Sequence, residues 1–157
     1  MNGQIREILV SPAAAAPMQH VPQAQLVAGH GIDGDRYAID SGTFSAKSKG
    51  KPDKEVTLIE SEAVDAFNAQ TLFGYAYAAF RRNLVTSGIR LNELAGKEFT
   101  VGGARLRGIR LCEPCATLAG QLGQEVMQQM VHKCGLRAEV LQSGTIKPGD
   151  SIVTVTS

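Results

Sequence analysis

The chain has 157 residues, a length that suits one domain, and 43% of them are hydrophobic, so an ordinary packed core is expected and disorder or a collagen-like repeat is excluded. Lysine and arginine outnumber acidic residues by 16 to 15, a balance that lacks the footprint of a general nucleic-acid binder or the polybasic pull toward an anionic membrane. There is no tryptophan and only 5% of residues are aromatic, too few for the stacking platforms of single-strand binding.

The N-terminal stretch MNGQIREILV places Arg6 and Glu7 inside its apolar run, and no segment reaches the roughly 18 apolar residues of a spanning helix. The cytoplasm is therefore the expected location. Two counts stand out. Glycine is high, at 17 residues, and cysteine is odd, at 3, which points to thiol or metal chemistry rather than a disulfide framework.

In chain order, residues 4–10 read as a first strand, and SPAAAAPM as a turn-rich connection. Residues 25–28 are a short strand. Gly29, Gly31 and Gly34 in GHGIDGDRY fit a tight turn or a backbone approaching a ligand. Residues 42–55 are polar and lysine-rich, an exposed loop or, in the sharper reading, a lid.

Residues 55–60 read as a strand, after which Ser61 offers an N-cap to a helix with Val64 and Phe67 one turn apart. Residues 75–80 read as a second short helix or extended turn. A strand follows RRN, and LNELAG is a helical turn closed by Gly96. FTVGGARLRGIRL is a hairpin about Gly102 and Gly103, with a bulge expected at Gly108. From Ala116 to Val131, Leu118, Leu122, Val126 and Met130 form the apolar stripe of one helix. GLRAEVLQ is a strand, SGTIKPGDS a double turn and SIVTVT a closing strand. Many short strands, glycine turns and two or three helices suit a β-rich barrel.

The densest chemical feature is Cys112-Glu113-Pro114-Cys115, at a strand-to-helix junction. A helix N-terminus favours thiolate, and Pro114 suits the entry to a helix. Three chemistries compete with simple burial of two small apolar side chains. Redox exchange of the thioredoxin kind wants a βαβ setting. A zinc site would take Cys112, Cys115, His132 and Cys134. A single reactive thiolate, Cys115 assisted by Cys112, could hold sulfur or a soft metal.

Arg81, Arg82 and Asn83, with Asp35 and Arg36, are candidates for binding phosphate and a cofactor's polar edge, against the plainer reading of surface polar groups. Ser61 is either a cap or a helix N-terminus facing an anion. His20, His30 and His132 read as isolated, structural or exposed.

GIDGDRY, TLIESEA, RRNLVTSGIRLNELAGKEFTVGGARLRG, LCEPC and GLRAEVLQSGTIKPGDSI, in that order, resemble the MOSC domain, named for the C-terminal part of molybdenum-cofactor sulfurases. The resemblance runs from Gly31 to the C-terminus and is similar to a small stand-alone member, one domain over 1–157. It implies a mainly β fold, a closed barrel of the type also seen in the pyruvate-kinase barrel domain, with two or three inserted helices. It implies molybdenum-cofactor binding or a persulfide on Cys115, with Cys115 as the molybdenum ligand in related amidoxime-reducing proteins. It further implies cofactor contacts from Gly34, Asp35, Arg36, Ser61, Arg81 and Asn83, with Arg82 beside them. Tyr37 departs from the histidine of many members.

The expected activity is reduction of N-hydroxylated small molecules with electrons from a partner reductase. The alternatives are a sulfur carrier loaded by a cysteine desulfurase, and a zinc-stabilised binding module without catalysis. At family level the resemblance also carries an association with pyridoxal phosphate. Neither nucleic acid nor membrane is expected as a partner.

Overall fold

The computed structural model describes residues 2–13, 16–35 and 55–155. Seven strands close a barrel. They are β1 (Asn2–Val10), β5 (Val56–Glu60), β6 (Leu84–Ser87), β7 (Glu98–Val101), β8 (Ala104–Leu111), β9 (Leu136–Gln142) and β11 (Ser151–Thr154). Around the ring the order is β1, β11, β7, β8, β9, β5, β6 and back to β1. Closure leaves no unpaired edge in the ring. Every pair is antiparallel except β5 and β6, which run parallel with Leu58 beside Leu84. Helix α1 (Ser61–Thr71) leaves the end of β5 on the crossover to β6.

The barrel fills from alternate positions. Ile5, Leu58, Leu84, Phe99, Leu106, Leu136 and Ile152 are buried inside it. The opposite faces of three strands are apolar as well: Leu9, Ile59 and Val85 pack outward. Against them lie α1, α2 (Ala116–Leu122) and α3 (Glu125–Gln129), through Val64, Phe67, Leu118, Leu122 and Val126. Each such buried side chain contributes roughly 1.5–3 kcal/mol. The barrel wall therefore has two cores, and Cys134 and Cys115 lie with the outer one. No helix among the described residues is long and apolar enough to cross a membrane.

A small second sheet joins β10 (Gly144–Ile146), β3 (Ala24–Val27) and β4 (Gly31–Ile32), while β2 (Gln19–His20) pairs with the end of β1. β2 and β4 have two residues each, too few to show a period, and the sequence reading lacks them. The double turn expected over SGTIKPGDS is half strand, because Gly144 to Ile146 pair with β3. The single helix expected from Ala116 to Val131 is two, because Gly123 takes φ +103° and interrupts it. Its apolar stripe nonetheless stays buried. Ser61 is not the cap of α1: Glu60 occupies that place without a side-chain cap, and Ser61 is the first helical residue.

The expected bulge at Gly108 is present as a register shift between Gly108 and Arg110. Its cause is close approach: a β-carbon at Gly108 would collide with the backbone carbonyl of Leu94. At Gly103 the nearest atom to an added β-carbon is the Thr145 carbonyl oxygen at 3.6 Å, an ordinary contact. Gly108→Ala is therefore expected to destabilise the protein by about 2–3 kcal/mol, and Gly103→Ala by less than about 0.5 kcal/mol, in urea unfolding. Equal midpoints for the two variants would contradict this.

Candidate functional site

β8 delivers the cysteine loop. The Cys112 backbone N–H donates to the Gly135 carbonyl at 2.8 Å, extending the β8–β9 ladder by one step. Gly135 takes φ +115°, and a side chain there would strike the Leu58 carbonyl. Only glycine lets the segment before β9 lie this close over β5. The loop is clasped from the other side. Glu113 accepts from the His132 backbone N–H at 2.6 Å, and its second oxygen lies 2.6 Å from His132 Nδ1. Asn92 Nδ2 donates to the His132 carbonyl at 2.7 Å. His132 is thus exposed, as expected, but not isolated; His20 likewise pairs with Glu7.

The three thiols differ in access. Cys112 and Cys134 are buried, while Cys115, at the cap position of α2, is partly exposed. Cys115 thus stands at the N-terminus of a seven-residue helix, as the sequence placed it. Arg82 donates from Nε to the Cys134 carbonyl at 2.9 Å and from Nη2 to Cys134 Sγ at 3.4 Å. Burial works against its charge, but the fields of Cys112, Cys134 and Cys115 outweigh it and hold the guanidinium pKa above its usual value. All three sulfurs therefore lie within the reach of one cation. Burial pushes the Cys134 thiol up, with Arg82 opposing, which keeps Cys134 a thiol at neutral pH.

Cys134 is thus a partner of Arg82. The proposed zinc set is not assembled: among the described residues no three of His, Cys, Asp or Glu are grouped to hold a metal ion, and Glu113 engages His132.

The next residue turns the other way. Asn83 is buried, and both ends of its amide are used inside the protein. Its Oδ1 accepts from the Thr57 N–H and the Thr57 hydroxyl, each at 3.1 Å. Its Nδ2 donates to the Leu9 carbonyl at 3.1 Å and to Asp35 Oδ1 at 3.2 Å. Asp35, fully buried, also accepts from the Ser11 N–H at 3.1 Å. Asn83 and Asp35 are brought together as expected, but inside the frame. Arg81, in a left-handed turn at φ +60°, donates to the Ala16 carbonyl at 2.8 Å. Gly34 is exposed at φ +89° in the turn before Asp35. Ser61 is buried and donates to Glu62 at 3.2 Å. Arg36, Tyr37 and the 42–55 loop, apart from Glu55, lie outside the described residues.

The sequence reading missed a cavity of about 730 Å³ at the carboxyl ends of β5 and β6, lined by Glu60, Glu62, Arg90, His132 and Lys133 among others. Its signal was the E-x-E at the end of TLIESEA, read there as a strand end and a cap. Glu60 Oε2 accepts from the Leu91 N–H at 3.0 Å, and Glu62 Oε2 from the Gly88 N–H at 2.8 Å. Burial raises the Glu60 pKa, Glu62 adds to it, and the Leu91 N–H and Arg90 oppose. For Glu62 burial acts upward too, but the Gly88 N–H and the Ser61 hydroxyl prevail and lower it.

A raised carboxyl pKa means that the folded state binds a proton the unfolded state has released, so stability falls as pH rises from about 4.5 through the folded value. Glu60→Gln keeps the acceptor for Leu91 and removes that charge. The variant is expected to be more stable than the parent at pH 7, with the difference closing below about pH 4.5, in unfolding measured across pH. A less stable variant at pH 7 would contradict the assignment.

Solved structures share this fold. The YuaD protein of Bacillus subtilis superposes with a TM-score of 0.83 at 14% identity, over 100% of this chain and 98% of that one. YiiM of Geobacillus stearothermophilus gives 0.73 at 20% identity, over 98% of this chain and 75% of that one. YiiM of Escherichia coli gives 0.68 at 18% identity, over 98% and 71%. At such identities the likeness is one of fold. No curated protein matches the sequence. The sequence pattern of the MOSC domain, however, matches residues 45–153, well over half of the length, and the chain belongs to the MOSC domain family.

Proposed function

We propose that Cys115 is the working thiolate of this MOSC protein and that it ligates the molybdenum of a molybdenum cofactor, in a cytoplasmic protein that reduces N-hydroxylated small molecules. The observation that carries this reading is the division of the three cysteines around Arg82. Cys115 alone is partly exposed, and it is one of three cysteines whose charge acts on the half-buried Arg82 guanidinium. A soft thiolate with a cation nearby suits molybdenum.

The donor set fits the cofactor at its metal end. Cys115 would hold the metal, and Arg82 would balance the negative charge gathered there. Arg81, half-buried and anchored on the Ala16 carbonyl, stands nearest in sequence to offer charge to a phosphate. Asn83 and Asp35 would keep the shape of the site without touching the cofactor, since Asn83 bonds to Asp35 and to the Leu9 carbonyl within the frame. Bound cofactor supplies two-electron redox chemistry at the metal. Cleaving one N–O bond of a hydroxylamine takes two electrons and two protons and yields amine and water, so an external reductase is the implied partner.

A second reading uses the same sulfur. A cysteine desulfurase would pass sulfane sulfur to the Cys115 thiolate, forming the Cys115 persulfide and freeing the desulfurase thiolate. The gathering of Cys112 and Cys134 about the same guanidinium favours it, because Arg82 would balance a persulfide anion as well as a thiolate.

Co-expression with cofactor biosynthesis, followed by elemental analysis, tests the first reading. The parent and Cys134→Ser are expected to carry molybdenum, and Cys115→Ser to lose at least about 90% of it, as befits loss of a ligand bond. Metal retained by Cys115→Ser, or missing from the parent, would overturn that reading. In the latter case, intact mass after incubation with a desulfurase and cysteine decides the second: one added sulfur that Cys115→Ser abolishes supports it, and an unchanged mass sinks it.

A further inference from the structure

Residues 132–135 act as a template for the cysteine loop. Gly135 accepts from the Cys112 N–H at 2.8 Å, and the Cys134 carbonyl accepts from Arg82 Nε at 2.9 Å. Beside these contacts His132 meets Glu113, the residue that follows Cys112 in the loop.

His132 is engaged three times. Its N–H donates to Glu113 Oε1 at 2.6 Å, its Nδ1 lies 2.6 Å from Glu113 Oε2, and its carbonyl accepts from Asn92 Nδ2 at 2.7 Å. Its backbone is left-handed, at φ +61°, a conformation that costs free energy at a residue with a β-carbon. Stability does not account for this arrangement. The Glu113 side chain is 44% exposed and that of His132 70%, and ion pairs so open to water add little. Backbone strain held by well-directed bonds points to function.

What the bonds achieve is position. Cys112 is buried and extends the β8 ladder, while Cys115 begins α2, its carbonyl accepting from the Ala119 N–H at 2.9 Å. Only Glu113 and Pro114 join these two anchored ends. The proline ring fixes its own φ, and the clasp fixes Glu113.

We propose that Glu113 is a positioning residue: held by His132, it keeps Cys112 closed in the ladder and presents Cys115 alone to a metal or a sulfur donor. The proposal rests on Cys115 as the working thiolate. Partners of this outer kind orient the group that binds the metal, and their loss lowers metal affinity about 10–100-fold.

Two variants test this. Glu113→Ala removes both bonds, whereas Glu113→Gln keeps an acceptor for the His132 N–H and offers Nδ1 a donor. Folded, cofactor-free parent and variants are treated with iodoacetamide and each cysteine is followed by mass. In the parent Cys115 is expected to react about tenfold or more faster than Cys112, in Glu113→Ala about threefold or less, because Cys112 is freed, and in Glu113→Gln as in the parent. Cys134, held by Arg82, is expected to stay equally slow in all three, which a general loss of structure would not allow. After co-expression with cofactor biosynthesis, Glu113→Ala is expected to carry about one tenth of the parent's molybdenum or less. An unchanged preference or full molybdenum in Glu113→Ala, a Glu113→Gln that behaves like Glu113→Ala, or Cys134 reacting along with Cys112 would each overturn the proposal. A parent without molybdenum would contradict the cofactor reading, and the alkylation rates would still decide the role of Glu113.

Discussion

One buried amide holds the site's end of the barrel together. Asn83 stands where the chain enters β6, and its side chain reaches three neighbours at once: Leu9 on β1, Thr57 on β5 and Asp35 beyond β4. The backbone repeats the connection, with Leu9 N–H to the Asn83 carbonyl at 2.7 Å and Asn83 N–H to the Thr57 carbonyl at 3.0 Å. Each such bond adds only about 1 kcal/mol, but a buried amide left without partners costs about 1–3 kcal/mol per group. The network is therefore all-or-none. It fixes the parallel β5–β6 pair, whose carboxyl ends frame the cavity.

The same residue orients the two arginines before it. With Asn83 turned inward, Arg81 and Arg82 leave the frame on the other side. Arg81 takes the left-handed turn, and Arg82 runs into the outer core to meet Cys134. Burial then divides three chemically equal thiols. Cys134 is locked against the guanidinium and buried, Cys112 is buried at the end of the β8 ladder, and Cys115 keeps access to solvent. Glu113, between the two loop cysteines, ties the loop to His132 and so to the far wall of the cavity.

The longer strands and the barrel were legible because β-branched and apolar runs between glycine turns state themselves locally. The bulge at Gly108 was legible for the same reason. What escaped was tertiary. Nothing in the spacing says that Asn83 faces inward, since a polar residue beside two arginines reads equally as a cofactor contact. The contact of Arg82 with Cys134 spans 52 residues and depends on Gly135 bringing its segment onto β5. The apolar stripe from Leu118 to Met130 runs unbroken through Gly123, and only that residue's positive φ shows that it divides the helix. Glu60 read as a strand end and Glu62 went unremarked because the residues opposite them, from Gly88 to Lys133, arrive from other elements.

The measurement that bears most directly on Cys115 as the reactive sulfur is residue-resolved alkylation. Protein isolated without air and free of bound cofactor is treated with iodoacetamide in its folded state, and the three cysteine peptides are followed by mass over time. The expected result is that Cys115 is modified at least about tenfold faster than Cys112 and Cys134, as its access requires. Modification of Cys112 or Cys134 first, or of all three at one rate, would contradict the assignment of the chemistry to Cys115.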